Sequence, residues 1–313
     1  MRPRCCGTVG PVTFSVIARD DSAGLLGVAV SSCVLAVGAR VPAVRAGVGV
    51  VAVQAGGWLQ WRQILLDLLE RGLTTDEAIA AVTLLDDHDE AQLAVVADLD
   101  GAAAYTGSRC DLPAGHAVVG AVSAQANTTA RDGVWDEMAT AVSDAPDLAE
   151  GLLAALAVAE VHGGDMRGRQ SAALMVVPNL RGHLPTGDGD DPTIDLRVDD
   201  SPDPVGALAR LHRLHAAHRM LIRSGNLPDA EQRLELMRRA ADLAPDDPLC
   251  GPATGLALAL AGRVDEGMQM LHEAVSRGAN PEALRWAEWR ARNLAGVNRH
   301  AEALLARLRR SGA

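Results

Sequence analysis

Thr13 leads a run of strand-like character, Thr13-Phe14-Ser15-Val16-Ile17-Ala18-Arg19-Asp20, and a threonine in that place can be a self-contained catalyst. If residues 1–12 are a leader, untranslated because of a start at Val12 or later removed, the Thr13 α-amine stands beside its own hydroxyl as base beside nucleophile. With residues 1–12 attached, Thr13 reads instead as a strand threonine bonded to a neighbouring strand. Acyl transfer also needs donors for the developing oxyanion. Ala124-Gln125-Ala126-Asn127 supplies two amides after a strand-like run, with Asn127 the candidate oxyanion donor or else a strand-end or helix-capping residue. Gln54, closing another apolar run, is a candidate of the same kind. Asp165, Arg167, Arg169 and Gln170 share one Gly-rich stretch. Here Asp165 can orient the Thr13 amine and Arg167 or Arg169 can clamp a substrate carboxylate, or the charges pair among themselves to fix the loop. His116 is a candidate substrate contact or a turn histidine.

Other residue types narrow the chemistry. Cys33 and Cys110 read as small hydrophobes before they read as thiol nucleophiles. Five cysteines without a repeated spacing give neither a disulfide framework nor a zinc knuckle. His212, His215 and His218 share one helical face, but no carboxylate or cysteine is seen to complete a metal set, so no metal and no cofactor is expected. The Asp-rich stretch from Asp188 to Asp203 lacks the spacing of a calcium loop and reads as a solvated linker. All 29 basic residues are arginine, which removes Schiff-base and Ser-Lys mechanisms. A net charge of −11, with one Phe and one Tyr, argues against a nucleic-acid partner. No apolar run approaches the roughly 18 residues of a membrane span, and Met1 to Pro11 holds no signal-peptide core. A cytoplasmic location without membrane attachment is the expectation.

The elements that must position these residues follow from periodicity. Phe14–Arg19, Gly27–Ser32 and Val48–Gln54 read as strands, with a turn at Asp20–Gly24. Leu59–Arg71, closed by Gly72, and a run begun by Thr75, Asp76 and Glu77 read as helices. Leu93–Ala97 and Ala102–Thr106 flank an Asp-Gly turn, and Ala117–Ala124 reads as one strand. Helices over Val134–Val142 and Pro146–Glu160 precede strands at Ser171–Val177 and Ile194–Val198. Strands, two helices, strands, two helices and strands suit an α+β layered fold. Beyond Pro204 the chain reads as helical, and Gly225, Gly262 and Gly296 open three similar turns at spacings of 37 and 34 residues. That period is similar to tetratricopeptide repeats, in which helix pairs stack on their neighbours.

The first two thirds of the chain resembles a known family. The segments Thr13–Asp20, Gly27–Val30, Ala36–Pro42, Arg45–Gly49, Tyr105–Ser108, Ala114–His116, Gly163–Ala172 and Asp195–Asp200 are similar to domain-of-unknown-function family 1028, over about residues 13 to 215. That family is grouped with the Ntn (N-terminal nucleophile) hydrolases. The resemblance implies a four-layer αββα sandwich, placed over 13–204, ahead of the all-α helical-repeat domain that the turn period marks over 205–313. It implies amide hydrolysis with Thr13 as nucleophile. Two positions depart from the family: Cys33 stands where relatives often carry Lys or His, and Ala126 where they more often carry Gly.

These readings converge on an Ntn-type amidohydrolase for a small amide, with Thr13, Asn127 and Asp165 catalytic and Arg167, Arg169, Gln54 and His116 binding substrate. The competing readings are a non-catalytic scaffold or a small-molecule sensor, with the C-terminal repeats taking a protein or peptide partner through Trp286 and Trp289. A homo-oligomer is expected by analogy with the family.

Overall fold

The computed structural model describes residues 13–85, 87–98 and 100–310. The leader question, Cys5, Cys6 and Val12 lie outside them. Two compact units emerge, the second made of Thr186–Asp191 and the chain from Leu211 onward.

The first unit is mixed α+β, with two antiparallel sheets. Its strands are β1 (Thr13–Asp20), β2 (Leu25–Ser32), β3 (Pro42–Arg45), β4 (Gly49–Ala55), β5 (Ala91–Ala97), β6 (Ala102–Thr106), β7 (Ala114–Val119), β8 (Val122–Asn127), β9 (Ser171–Pro178) and β10 (Ile194–Val198). Six of them form one sheet in the order β10-β9-β2-β1-β8-β7, and four form the other in the order β3-β4-β5-β6. Helices α1 (Trp61–Glu70) and α2 (Thr75–Val82) pack on the smaller sheet, while α3 (Val134–Ser143) and α4 (Leu148–Val161) pack on the larger. The sheets meet through β1, β4, β5 and β8.

Period-two alternation sorts the side chains. Phe14, Val16 and Ala18 of β1 join Ala124 and Ala126 of β8 beneath Met138, Leu152 and Leu156 of the helices. Phe14, the single phenylalanine, is fully buried there, worth about 1.5–3 kcal/mol of apolar transfer. The opposite parity faces the second sheet: Ile17, Val28 and Val30 meet Val50, Ala52, Ala94 and Val96. Val51, Val53, Leu93 and Val95 turn outward to Trp61, Leu65 and Ile79. Every central strand is therefore buried on both faces, so small and branched aliphatic residues fill both parities.

Most expected elements are found, and two differ. The single strand expected over Ala117–Ala124 is the hairpin β7–β8, turning at Gly120 with φ +59°. Valines on either side of that glycine made one continuous apolar run of two exposed-edge residues and a buried strand. β3 was not expected, because Pro42–Arg45 spans only four residues beside its partner. α2 begins as expected: Thr74 caps it, and the Thr74 side chain and Glu77 satisfy each other's backbone N–H groups in a capping box.

The second unit is helical. It contains the later part of α5 (Pro204–Asn226), then α6 (Ala230–Leu243), α7 (Cys250–Leu260), α8 (Val264–Ser276), α9 (Glu282–Leu294) and α10 (Arg299–Arg310). The three glycine-marked turns fall at the α5–α6, α7–α8 and α9–α10 junctions. Gly255 and Gly267 let α7 and α8 close on one another, since a Cβ on Gly255 would lie 2.8 Å from the Gly267 carbonyl oxygen. Leu256, Leu271, Leu304 and Leu308 share the core of these helices. Among the described residues no helix is long and apolar enough to cross a membrane.

Candidate functional site

The inward parity that is aliphatic along the middle of the two-sheet interface becomes polar at one end. Thr13 and Ser15 of β1, Ser32 of β2, Gln54 of β4, Gln92 of β5, and Gln125 and Asn127 of β8 are all buried. Each lies an even number of positions from an inward aliphatic residue of its own strand, except that on β8 the outward set is Ala124 and Ala126. Buried polar groups need hydrogen-bond partners, and within this set all but Gln125 Oε1 find them.

They do so through Gln92, whose side chain is the hub. Its Oε1 accepts from Gln54 Nε2 at 2.9 Å and from Asn127 Nδ2 at 2.8 Å. Its Nε2 lies 2.9 Å from the Ala126 carbonyl, 3.1 Å from the Gly115 carbonyl and 3.1 Å from Thr106 Oγ1. The same Gln54 and Asn127 amide groups donate to the Thr13 carbonyl, at 3.0 Å and 3.4 Å. Ser15 Oγ donates to Gln54 Oε1 at 2.7 Å and accepts from Gln125 Nε2 at 3.1 Å. Thr13 Oγ1 donates to Ser32 Oγ at 3.3 Å, across the Thr13–Ser32 register pair. The first peptide group of β1 is thus gripped from two other strands while its hydroxyl rests on a third.

Next along β2, Cys33 leads to the Gly-rich loop. Asp165 is buried, and its Oδ2 accepts the Cys33 N–H at 3.0 Å while its Oδ1 accepts the Arg167 N–H at 2.9 Å. The Arg167 guanidinium lies 3.4 Å from the same carboxylate. Burial, and then the hydrogen bond and charge of Asp165, push the Cys33 thiol up to about 11. A thiol so placed is protonated at neutral pH, which makes Cys33 a poor nucleophile. Cys110 is likewise pushed up to about 11, chiefly by burial. Arg169 pairs with Glu160 of α4. Asp165, Met166, Arg167 and Arg169 line an open recess of about 730 Å³.

Three candidates from the sequence therefore meet directly: Thr13, Gln54 and Asn127. His116 is exposed on β7 and reaches them at second hand, its Nδ1 2.8 Å from Thr106 Oγ1, which also meets Gln92. Asp165 and Arg167 form a second group, joined to the first through the Ser32-Cys33 step, and Arg169 faces Glu160 across the recess wall. Asn127 addresses the Thr13 carbonyl and Gln92, and the Asp165 oxygens address backbone N–H groups. Sequence reasoning missed Gln92, Ser15 and Ser32, and noted Gln125 only as the second amide beside Asn127. A glutamine in an otherwise apolar strand was the available signal for Gln92.

The site can fix a threonine at a strand end in one orientation. While residue 12 is bonded to it, the Thr13 nitrogen is a peptide nitrogen with no basic lone pair, so the amine-and-hydroxyl pair exists only with a free Thr13 terminus.

Known proteins complete the picture. No curated protein matches the sequence. Among solved structures, the crystal structure of protein SPO2555 from Silicibacter pomeroyi, itself described by the family model DUF1028, is similar: 30% identical, with a TM-score of 0.56. The match covers 64% of this chain and 88% of that one. The model of the family of unknown function DUF1028 matches residues 13–208, beginning at the threonine that the amide cluster grips. The chain belongs to the DUF1028 family.

Proposed function

We propose that the first unit is an N-terminal-nucleophile amidohydrolase built as a four-layer αββα sandwich, with Thr13 as its nucleophile. The observation that carries this reading is the convergence of Gln54 and Asn127 on the Thr13 carbonyl while Thr13 Oγ1 bonds Ser32. A strand residue with no special task does not need its peptide held by two buried side-chain amides. Once Thr13 is terminal, its amine takes the hydroxyl proton as Oγ1 attacks a substrate carbonyl. The leaving amine then receives that proton, and water hydrolyses the ester. Gln54 and Asn127 act as positioning residues for Thr13, and backbone N–H groups are left to stabilise the oxyanion. Arg167 and Arg169, on the recess wall, favour a small amide bearing a carboxylate. The helical unit is proposed as a tetratricopeptide-like module for a protein or peptide partner, supported by Trp286 and Trp289, which are partly exposed on α9.

The test compares the full chain with one whose first residue is Thr13, each treated with a β-lactone probe and analysed by peptide mass spectrometry. The reading expects acylation of Thr13 only in the trimmed chain, kept by Thr13→Ser and lost in Thr13→Ala. A folded, trimmed chain that stays unlabelled would sink the enzyme reading in favour of a non-catalytic scaffold or sensor.

A further inference from the structure

We propose that His218, Asp247 and Cys250 form a metal site in the helical unit, with zinc the ion it fits. His218 lies on α5, Asp247 in the turn after α6, and Cys250 is the first residue of α7. One ligand atom from each lies within 4.8 Å of the other two. His218 Nε2 and Asp247 Oδ2 are 2.9 Å apart.

Zinc takes nitrogen and oxygen at about 2.0–2.2 Å and thiolate sulfur at about 2.3 Å, which puts tetrahedral ligand pairs at about 3.3–3.7 Å. One pair here must open by a few tenths of an ångström and others close by up to about 1 Å, a change of the size side-chain rotation supplies. His218 is free to make it, its side chain being 45% exposed. Asp247 is already fixed, and Cys250 is buried at the start of α7. Asp247 Oδ1 accepts the Leu249 N–H at 2.9 Å and the Cys250 N–H at 2.8 Å, so the carboxylate is oriented through one oxygen while Oδ2 faces His218. This is the outer-shell support that metal-binding carboxylates use.

The chemistry of the set selects the ion. A thiolate and an imidazole favour zinc over magnesium or calcium, which seek oxygen ligands. Asp247 and Cys250 are buried, and a dication with one carboxylate and one thiolate sums to zero charge, which lowers the cost of burying both anions. On binding, Cys250 Sγ gives its proton to solvent, and His218 coordinates through Nε2 as a neutral ring with its proton on Nδ1. Water on the exposed side of His218 completes the tetrahedron. The ion would pin α5 to the start of α7. The three ligands escape any short motif because His218 and Asp247 are 29 residues apart.

The full chain, stripped by a chelator and dialysed, is titrated with Co²⁺ and then with Zn²⁺, read by ultraviolet and visible absorption. The proposal expects one equivalent of Co²⁺ with tetrahedral ligand-field bands and a thiolate-to-metal charge-transfer band, displaced by one equivalent of Zn²⁺. Cys250→Ser should abolish the charge-transfer band, and Cys33→Ser and Cys110→Ser should leave it. Asp247→Asn keeps an oxygen to cap α7 and should weaken zinc by about 100-fold or more, so it carries the test even if Cys250→Ser does not fold. A folded, stripped protein that gives no such band with Co²⁺ overturns the proposal, as does a band that survives Cys250→Ser and disappears with Cys33→Ser.

Discussion

Replacing Gln92 with leucine tests whether the amide cluster is held together by its hub. Leucine is close to glutamine in size, so the change removes polar atoms without opening a large cavity. Two buried donors, Gln54 Nε2 and Asn127 Nδ2, lose the acceptor that now sits 2.9 Å and 2.8 Å away. Each orphaned donor costs about 1–3 kcal/mol, a gross loss of about 2–6 kcal/mol. The acceptors of Gln92 Nε2 suffer less, since Ala126 and Gly115 lie in sheet ladders and Thr106 Oγ1 keeps His116. The added apolar surface returns about 1–2 kcal/mol, which leaves a net loss of about 1–4 kcal/mol against a typical total of about 5–15 kcal/mol. Urea unfolding is the assay, in a Trp286→Phe/Trp289→Phe background so that the tryptophans left, buried Trp61 among them, report on the first unit. With a slope of about 2 kcal/mol per molar, the midpoint should fall by about 0.5–2 M at unchanged slope. A fall of less than about 0.3 M would refute the claim that Gln92 carries the cluster.

Two further outcomes follow from the same geometry. Cys33, raised to about 11 by burial and Asp165, should exist as thiolate at pH 7 in about one molecule in ten thousand, so iodoacetamide should alkylate it far more slowly than free cysteine, about tenfold faster per unit of rising pH below 11; a rate matching the free thiol at pH 7 contradicts that environment. Thr74→Ala removes the side-chain half of the capping box on α2 and should cost about 1 kcal/mol in the same urea assay, with Thr74→Ser restoring it.

The order of strands and helices was legible in the sequence because it depends on local periodicity. Glycine-closed helices, the Asp-Gly hairpin and the Thr75-Asp76-Glu77 start of α2 are signals within a few residues of each other. The β7–β8 hairpin was not, because Val118, Val119 and Val122 surround Gly120 with apolar residues and hide the turn. The facing of the central strands was also hidden. Where both faces are buried, as for Val50 to Val53 and Leu93 to Val96, aliphatic residues occupy both parities and alternation carries no direction. Gln92 is therefore visible as an oddity in its strand, but nothing in the sequence says that it points toward Thr13. The two sheets must first be stacked.

Thr13, Gln54 and Asn127 were found for their chemistry, and the structure joins them by a different logic from the one that found them. Each amide was a candidate for the oxyanion, yet both address the carbonyl of the residue thought to react. Preorganisation of that kind would act on the proposed nucleophile: Gln54 and Asn127 hold the Thr13 carbonyl while Ser32 holds its hydroxyl. The fold thus determines where Thr13 points, while the covalent state of its nitrogen determines what it can do. A chain with residue 12 attached and one beginning at Thr13 can share every hydrogen bond of Gln92 and still differ in the acyl-transfer chemistry proposed for Thr13, because the second carries an α-amine beside Oγ1 to serve as base.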